Sequence, residues 1–458
     1  RDAAMQGRTA TLASKTAIST TWSMTTGLDY TPKSFIVTLK TDDGTYYVSE
    51  VLAAVVSSGT ALQALNVTNA GIRISNPNEF AVLGDNSKKD KDFALSSDID
   101  LADSGAWDGP DGYSGHFYGN GYTIKNLVLA GTASEVGLFK SLGDGADLQD
   151  FTVEVSTANP DATYNGILFG GISGKGGPGN KTLQNITVRG SLVFGDISGA
   201  TNVGGFIGST TGQNLAADEI LIDRCVSELD ITLKNGTSAQ EASVAFGGFT
   251  GCIVGRKVII TNSYSTGSLR VKNNGNRLLV AGSITGDIKD NGVAEIINCY
   301  ASGSVIVENQ TSSGNRSLSA GGIIGIIGGR RTGYNGDTRN PTSVKVENCA
   351  AVNASVITIS GGTGLVRDNN GRLCGKNEAT AGTYTFTNNF AWLEMPVGIV
   401  ANEALAAAAN ETGAGNNLNN GEGIALTTLH DKTIWVNHGF TEDIWDFSNI
   451  ATDWPTLK

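Results

Sequence analysis

The sequence predicts an all-β solenoid, a right-handed parallel β-helix with a small N-terminal β domain and with helical and aromatic caps. Three observations lead to this prediction. The chain has 458 residues with 61 glycines and only 8 prolines, so the glycines do not belong to a disordered Pro/Gly linker. A short glycine-rich motif recurs along the chain, and two alternating runs of β-forming residues follow each copy. Repeats of about 20 to 50 residues are typical of solenoids.

The repeated motif is an apolar stretch with one or two glycines and, in most copies, a closing glycine. The closing glycines lie at positions 174, 208, 251, 286 and 325, which gives steps of 34, 43, 35 and 39 residues. The extra residues fall in polar stretches, where loop insertions belong in a solenoid. A degenerate seventh copy is expected at residues 363–366, after six copies that begin at Val136, Phe169, Val203, Phe246, Ala281 and Ala320.

The two runs after each motif predict strands. The first is found at residues 183–188, 259–264, 296–300 and 344–349, and the second at 191–194, 268–271, 304–307 and 356–359. Both alternate and are rich in Val, Ile and Thr, which is typical of β-strands. Three short strands per copy, without a helical period or a fourth strand, indicate a β-helix rather than a helical solenoid or a propeller.

One position of the repeat carries small residues that follow Arg or Asn. In-register positions of successive coils lie about 4.8 Å apart, so like residues stack on like. We interpret this ladder as small, buried, reduced filler beside a turn. A metal site or a redox pair is the alternative. The residues of the ladder are Cys225, Ser263, Cys299 and Cys349, and Asn185 and Asn388 fall near the same asparagine position in the flanking copies.

These motifs resemble the GLUG repeat of bacterial surface and secreted proteins, particularly those of gut Bacteroidetes. The resemblance rests on Gly-Gly-Phe-Ile-Gly at 204–208, Asn-Ser-Tyr-Ser-Thr-Gly-Ser at 262–268 and Asn-Cys-Tyr-Ala-Ser-Gly-Ser at 298–304. The lead-in at 72–80, a first coil at 97–127 and the closing Trp-Pro-Thr-Leu-Lys fit the same pattern. It covers about residues 70–458 and implies architecture and a surface location, but it carries no catalytic residues.

Three regions are expected along the chain. Residues 1–68 lack the repeat and contain a hairpin signal at 34–49, so we interpret them as a small β domain. Residues 69–400 form the β-helix, with a capping helix that starts at Asn76 and Pro77. Residues 401–458 form a C-terminal cap, with an alanine-rich helix at 401–410. Its aromatic cluster is interpreted as the core of the cap rather than a carbohydrate platform, and it comprises Trp435, Trp445 and Trp454.

Composition excludes several classes of partner. A net charge of −12 and the lack of a basic run argue against nucleic-acid binding. No apolar stretch reaches the ~18 residues of a membrane span. The first residues show no signal-peptide core, so an export signal is expected to have been removed. We expect an extracellular or cell-surface protein, secreted or anchored to the outer membrane.

Few groups suggest chemistry. None of the three histidines has metal-ligand spacing, and Gly171–Gly174 lacks the context of a nucleophile elbow. Several carboxylates, and a calcium site at 107–112, are alternatives, but Asp-Gly pairs are mainly turn formers. We therefore predict no catalytic residues, no metal and no cofactor, and leave the binding residues open. The histidines are His116, His430 and His438, and the carboxylate groups are Asp144 with Asp147 and Asp150, Asp108 with Asp111, and Asp287 with Asp290.

The sequence thus predicts a non-enzymatic surface protein for adhesion or ligand binding, with a host or dietary glycan or a matrix protein as partner. Two alternatives remain open: a polysaccharide-degrading lyase or hydrolase that uses one flank, and a structural stalk or accessory domain. The inserts at 212–217 and 330–341 are the expected contact surfaces, because they can vary without breaking a coil.

Overall fold

The parallel β-helix is confirmed by a computed structural model of the chain, in which long stacks of parallel strands follow the repeat. The described residues are 11–14, 17–22, 33–35, 38–40, 44–49, 52–54, 63–67, 70–131, 134–210, 215–236, 244–273, 278–309, 316–329, 339–360, 366–400, 411, 414–415 and 419–458.

The N-terminal region forms antiparallel strands. β1, β2 and β7 make one sheet, β3 pairs with β6, and β4 pairs with β5 as the predicted hairpin. The strands are β1 (Thr11–Ser14), β2 (Ala17–Trp22), β3 (Lys33–Phe35), β4 (Thr38–Lys40), β5 (Tyr46–Ser49), β6 (Leu52–Ala54) and β7 (Gln63–Val67).

The chain enters the β-helix through one incomplete turn. The first strand of this turn, residues 70–74, pairs antiparallel with β5, so the sheet continues across the domain boundary expected at residue 68. The Asn76 side chain accepts from the Glu79 amide at 3.0 Å and caps a short helix with Pro77 in its first turn, as the sequence predicts. The elements are β8 (Ala70–Ile74), α1 (Pro77–Ala81), 3₁₀ turns at Val82–Gly84 and Asn86–Lys88, β9 (Phe93–Leu95), β10 (Ile99–Asp100), β11 (Ala106–Trp107) and β12 (His116–Leu129).

Seven coils follow, and each begins with two strands joined by the glycine motif. In coils 1 to 3 the strands that follow the motif pair are long, apart from the three-residue strands that end coils 1 and 2. The strands of these three coils are β13 (Glu135–Val136), β14 (Phe139–Leu142), β15 (Asp147–Thr157) and β16 (Thr163–Asn165) in coil 1, β17 (Leu168–Gly170), β18 (Ser173–Gly176), β19 (Lys181–Phe194) and β20 (Asp196–Ser198) in coil 2, and β21 (Thr201–Gly204), β22 (Ile207–Ser209), β23 (Leu215–Asp223) and β24 (Val226–Gly236) in coil 3.

Coils 4 to 7 contain five short strands each, rather than the three that the sequence predicts, because the glycine motif separates two strands and the first predicted run bends after its asparagine. They are β25 (Val244–Gly247), β26 (Thr250–Val254), β27 (Arg256–Thr261), β28 (Tyr264–Ser265) and β29 (Leu269–Asn273) in coil 4, β30 (Leu278–Gly282), β31 (Thr285–Lys289), β32 (Val293–Ile297), β33 (Tyr300–Ala301) and β34 (Val305–Asn309) in coil 5, β35 (Arg316–Gly321), β36 (Ile324–Ile327), β37 (Ser343–Glu347), β38 (Ala350–Ala351) and β39 (Val356–Ser360) in coil 6, and β40 (Val366–Gly371), β41 (Cys374–Asn377), β42 (Thr383–Thr387), β43 (Phe390–Trp392) and β44 (Val397–Val400) in coil 7.

The strands stack into three long sheets. β13, β17, β21, β25, β30, β35 and β40 form one sheet, and the strands directly after the motif form a second seven-stranded sheet. All other strands of the coils except β16 and β20, which pair with each other, join one broad sheet. Within a coil we call its successive parts the first, middle and third stretch. The first stretch is the beginning of β15 and of β19 in coils 1 and 2, and β23, β27, β32, β37 and β42 in coils 3 to 7. In coils 4 to 7 the middle stretch is β28, β33, β38 and β43, and the third stretch is β29, β34, β39 and β44.

The glycine motif forms a tight arch between the first two sheets. At each of its three glycines a different backbone atom occupies the space that a side chain would need. A Cβ atom on Gly204 would lie 2.1 Å from a carbonyl oxygen of the outgoing strand of the same coil. On Gly205 it would lie 1.9 Å from a carbonyl oxygen of coil 4, and on Gly208 2.6 Å from a backbone nitrogen of coil 2. Packed sheets are ordinarily ~10 Å apart, so the tight arch of coil 3 leaves no space for a Cβ atom at any of these three positions, whereas coil 5 carries Ser283 at the second one.

The seventh copy lies at Gly371–Gly375, not at the predicted residues 363–366. Gly321 pairs with Gly371, and Ile324 pairs with Cys374. Arg372 takes the place of the second glycine, which is tolerated because no eighth arch places a carbonyl oxygen against it. Instead, its guanidinium is buried and donates to carbonyl oxygens of Asn420 and Gly421.

A left-handed residue bends every coil between its first and middle stretches. Its φ lies between 49° and 61° in all seven coils, and asparagine tolerates this conformation better than most residues. The next residue points inward, so the predicted small-residue ladder is confirmed as a buried column. The bending residues are Asp150, Asn185, Arg224, Asn262, Asn298, Asn348 and Asn388.

The C-terminal region covers two different surfaces of the β-helix. Asn419 accepts from the amides of Leu373 and Cys374 and covers the last arch, as expected of a cap. Residues 425–458, in contrast, lie along the outer side of the middle stretches rather than on the end. This flank segment buries Trp435 and Trp445 against Tyr300. The predicted helix at 401–410 lies outside the described residues. The elements are β45 (Ala414–Gly415), β46 (Glu422–Ile424), α2 (Leu426–Leu429), α3 (Lys432–Asn437), β47 (Trp445–Asp446) and β48 (Thr456–Leu457).

Candidate functional site

The outward side of the first stretches is a regular surface that continues from coil to coil, and we call it the front face. Alternation decides which side chains form it. Ile220 and Val258 point into the core, whereas their neighbours Leu221 and Ile259 point out and keep part of their exposure. Because the strands are in register, every coil adds one row to the same face.

The front face carries three columns of side chains. The middle column is aliphatic in coils 3 and 4, and in coil 5 two aliphatic side chains flank a glutamate; charged residues surround this centre. The first column is Glu219, Lys257, Val293, Ser343 and Thr383, the second is Asp147, Thr182, Leu221, Ile259, Glu295, Lys345 and Thr385, and the third is Gln149, Gln184, Asp223, Thr261, Ile297, Glu347 and Thr387.

Ion pairs join neighbouring coils across this face. The Lys257 ammonium lies 3.1 Å from carboxylate oxygens of both Glu219 and Glu295, one coil away on either side. All three side chains are between 28% and 41% exposed. Such exposed pairs contribute little to stability, so these groups remain available to a ligand at small energetic cost.

The side-chain amides of the bending residues border the front face. Asn388 donates to the side-chain oxygen of Asn348 at 2.7 Å, and Asn262 donates to Asp223 at 2.9 Å. Asn185 donates to Asp150 at 2.7 Å. This border is therefore a ladder of hydrogen bonds between coils, and its role is structural.

A cluster of Asp92, His116 and Asp147 lies at the N-terminal end of the front face. The Asp92 carboxylate accepts from the His116 backbone amide at 2.8 Å and lies 3.0 Å from Nδ1. A carboxylate only accepts, so this contact places the proton of the neutral ring on Nδ1. Nε2 then faces the Asp147 carboxylate across 3.9 Å, which is too long for a hydrogen bond.

Burial raises the pKa of Asp147 above its usual value, and the charges of Asp150 and Asp92 add to this effect while His116 opposes it. The sequence grouped Asp147 with Asp144 and Asp150, but these three carboxylates have different partners. Asp144 accepts from the Asn180 amide at 2.9 Å, and Asp150 accepts from Asn185. Asp92 could not be predicted as a member of this cluster, because it lies in an irregular segment 24 residues before His116.

The other candidate carboxylates also form ion pairs or hydrogen bonds with protein groups. Asp108 pairs with the Lys140 ammonium at 2.8 Å, and Asp111 accepts from Ser141, so both groups of the proposed calcium site have protein partners. Asp287 is buried with Lys289 at 2.7 Å.

Asp290 pairs instead with Arg339 at 3.0 Å. Asp287 and Asp290 therefore do not form a pair. Within the described ranges, no three His, Cys, Asp or Glu side chains are arranged to hold a metal ion.

The remaining candidates have structural surroundings. His430 and His438 lie in the flank segment, and each Nδ1 is 2.7 Å from a backbone carbonyl oxygen. All five cysteines are buried and unbridged. Burial raises the pKa of Cys252 and of Cys374 to about 12. The inserts at 212–217 and 330–341 fall almost entirely outside the residues whose side chains are described.

Comparisons with known proteins give limited overlap. No family model matches the chain. Halomucin from Haloquadratum walsbyi is 27% identical over 188 residues, which is 38% of this chain and 2% of halomucin. The chain therefore spans a very small part of that relative.

A crystal structure of a candidate immunoglobulin A1 protease from Bacteroides ovatus is similar over 85% of this chain and 92% of that one, with 17% identity and a TM-score of 0.47. No helix in the described part of the chain is both long and apolar enough to cross a membrane.

Proposed function

We propose that this chain is an extracellular bacterial protein of the GLUG-repeat type that binds a ligand through its front face and performs no chemistry of its own. The observation that carries the proposal is the front face itself. The flank segment covers the middle stretches, and the arch strands bury most of their side chains. The front face and the third stretches both keep partly exposed side chains in register over successive coils, and we choose the front face because its charged residues border an aliphatic centre.

The chemistry of this face suits an extended ligand. Leu221, Ile259 and Ile297 offer an aliphatic strip, and Lys257 and Lys345 place cations beside it. A glycan chain or a matrix protein can lie along such a strip and form hydrogen bonds at its rims. The acidic net charge of −12 supports a partner other than nucleic acid.

The proposal is tested by binding of the purified chain to an array of plant glycans, host glycans and matrix proteins. The double variant Ile259→Asn/Lys345→Glu alters the front face, and we expect it to weaken binding at least tenfold. The matched control Ile306→Asn/Arg270→Glu makes the same changes on the third stretch, where both side chains also point outward. It should bind as the parent does.

Two results would contradict the front face as the binding site. One is unchanged binding by the front-face variant together with loss in the control. The other is the absence of binding to every array member, which would favour a structural stalk.

A second candidate function is polysaccharide cleavage, and the Asp92–His116–Asp147 cluster is the observation that favours it. His116, oriented by Asp92, would act as a base through Nε2. Asp147, whose pKa is raised, would act as the acid. Product release from plant or host polysaccharides in the presence of calcium tests it. Activity that is lost in His116→Ala and Asp147→Asn but kept in Asp144→Asn would establish the enzyme and overturn the first proposal.

A further inference from the structure

Two thiols of the inward column are neighbours in adjacent coils. Tyr300 pairs in register with Ala350, and the Ala350 amide donates to the Cys299 carbonyl oxygen at 2.9 Å. Cys299 and Cys349 directly precede these residues, occupy the same position of the repeat and are fully buried. Their Cα atoms are therefore about one strand spacing apart, about 4.8 Å. That separation lies within the roughly 4.4–6.8 Å range of disulfides.

The two side chains also have equivalent surroundings. The Cys299 sulfur lies 3.2 Å from the carbonyl oxygen two residues before it and 3.4 Å from that of Ile260 in the previous coil. The Cys349 sulfur has the matching contacts at 3.3 Å and 3.4 Å, the latter to Ile296. Both thiols therefore point the same way into the core, with the Cys349 side chain against that of Cys299.

The other cysteines cannot join this pair. Cys225 belongs to the same column, but Ser263 separates it from Cys299, so it lies two strand spacings away, about 10 Å. Cys252 and Cys374 lie in the second arch sheet in coils 4 and 7. The five cysteines thus offer one pairing and leave three thiols.

We propose that Cys299 and Cys349 form a disulfide between coils 5 and 6 when the chain folds in an oxidising compartment, and that the two free thiols are the reduced form of this link. The oxidant is a disulfide of a protein oxidoreductase or of glutathione. One cysteine thiolate attacks that disulfide, forms a mixed disulfide and releases the first thiolate of the oxidant; the second cysteine thiolate then attacks the cysteine sulfur of the mixed disulfide and releases the oxidant's second thiolate. Two protons and two electrons leave the pair, one S–S bond forms, and the oxidant is reduced to two thiols.

The order of events follows from burial. Attack requires a thiolate, and burial, reinforced by the neighbouring Cys349 thiol, raises the pKa of Cys299 well above its usual value. No oxidant reaches a closed core, so the bond has to form before coils 5 and 6 close. Once formed, it links strands that are 50 residues apart in sequence and raises the thermal midpoint of unfolding.

The test is a thiol titration in denaturant without reductant, on full-length protein refolded with a glutathione redox couple. We expect the count to fall from five to three, and peptide mapping of the parent protein to show one cross-linked peptide containing residues 299 and 349. The variant Cys349→Ser should keep all four of its thiols. Cys225→Ser, the matched change in the same column, should fall from four to two.

Folded protein exposed to the same couple should keep all five thiols over the time that refolding requires. Five thiols after oxidative refolding, or a bridge to any other cysteine, would overturn the pairing. Loss of thiols from folded protein as fast as during refolding would overturn the order of events.

Discussion

Lys181 carries a buried ammonium group at the start of β19 in coil 2. Its side chain is almost fully buried, and Nζ donates to the carbonyl oxygens of Gly177, Pro178 and Gly179 at 2.7 to 2.8 Å. Burial, together with the nearby Arg256 charge, lowers the pKa of Lys181 to about 8. The three donors of the ammonium match three acceptors of one turn, so this residue holds the turn before β19 in place.

We expect Lys181→Met to lower the free energy of unfolding by roughly 2–4 kcal/mol, because one buried and two partly buried carbonyl oxygens lose their donor. Urea unfolding followed by circular dichroism measures the change. The control is Lys125→Met. The Lys125 side chain is 39% exposed and paired with Asp98, so its loss should cost under about 1 kcal/mol. Equal effects of the two substitutions would contradict a structural role for the carbonyl contacts.

The raised pKa of Asp147 predicts that the stability of the folded chain depends on pH. Its pKa in the folded chain lies above the ordinary value of 3.8. The folded chain therefore binds more protons than the unfolded chain between these two values, and stability falls as pH rises through that window. At pH 7 the charged carboxylate carries the full cost of its burial.

Asp147→Asn should thus raise the thermal midpoint slightly at pH 7, by the equivalent of ~0.5 kcal/mol after allowance for its partial exposure. It should give no gain near pH 3, where the carboxyl is protonated in both states. The control Asp103→Asn, on an exposed turn, should change neither value. A destabilised Asp147→Asn at pH 7 would show that the contact with His116 outweighs burial.

The glycine arch is the structural element that the chain repeats most faithfully, and it can be tested at one position. A Cβ on Gly248 would lie 2.0 Å from the Ser283 carbonyl oxygen, so Gly248→Ala forces two coils apart. We expect a loss of more than about 3 kcal/mol of unfolding free energy, measured by urea denaturation.

Ser283 provides the matched control for this change, because it occupies the equivalent position one coil later. Its hydroxyl accepts from Asn353 Nδ2 at 3.0 Å. Ser283→Gly removes only that hydrogen bond and should cost about 1 kcal/mol. A mild Gly248→Ala would mean that the arch sheets can separate without breaking the stack.

The elements that were predictable from the sequence are those that repeat. The arch glycines and the Asn-Cys or Asn-Ser pairs recur from coil to coil, the closing glycines at steps of 34 to 43 residues, and stacking in register follows from that recurrence. The seventh arch was misplaced because Arg372 stands at a position that is glycine in coils 2, 3, 4 and 6.

The cluster at His116 was not predictable, because Asp92 belongs to no repeat. The position of residues 425–458 was missed for a related reason. The cluster of tryptophans indicates a core, but it carries no information on which surface of the β-helix the core covers.

At the scale of the whole molecule, the flank segment ties five coils together. Val226, Tyr264, Tyr300 and Phe390, from different coils, share one apolar cluster with Trp445. Tyr264 and Tyr300 stack at 4.8 Å between ring centres, and the Tyr300 hydroxyl donates to the Pro455 carbonyl oxygen at 2.7 Å. In a solenoid each coil otherwise contacts only its neighbours, so this segment adds contacts that span several coils.

Tyr300→Phe removes that hydrogen bond and leaves the Pro455 carbonyl oxygen unsatisfied. We expect a cost of ~1–2 kcal/mol, expressed as faster hydrogen exchange in residues 425–458 while the arch strands stay protected. Tyr122→Phe, on a half-buried ring of β12 outside this cluster, serves as the control and should leave exchange unchanged. Exchange that rises equally in all coils would show that the segment unfolds only with the whole rod.

The flank segment also constrains how a gene for this protein can grow by duplication. A copy of one repeat inserted before Val226 would lengthen the β-helix and leave the contacts of the flank segment unchanged, because its apolar cluster begins at Val226. A copy inserted between Tyr264 and Tyr300 would separate the two stacked rings by an extra coil, and Trp445 and Pro455 could no longer reach both. Lineages that vary in repeat number should therefore gain and lose coils at the N-terminal side, while coils 3 to 7 stay constant in number.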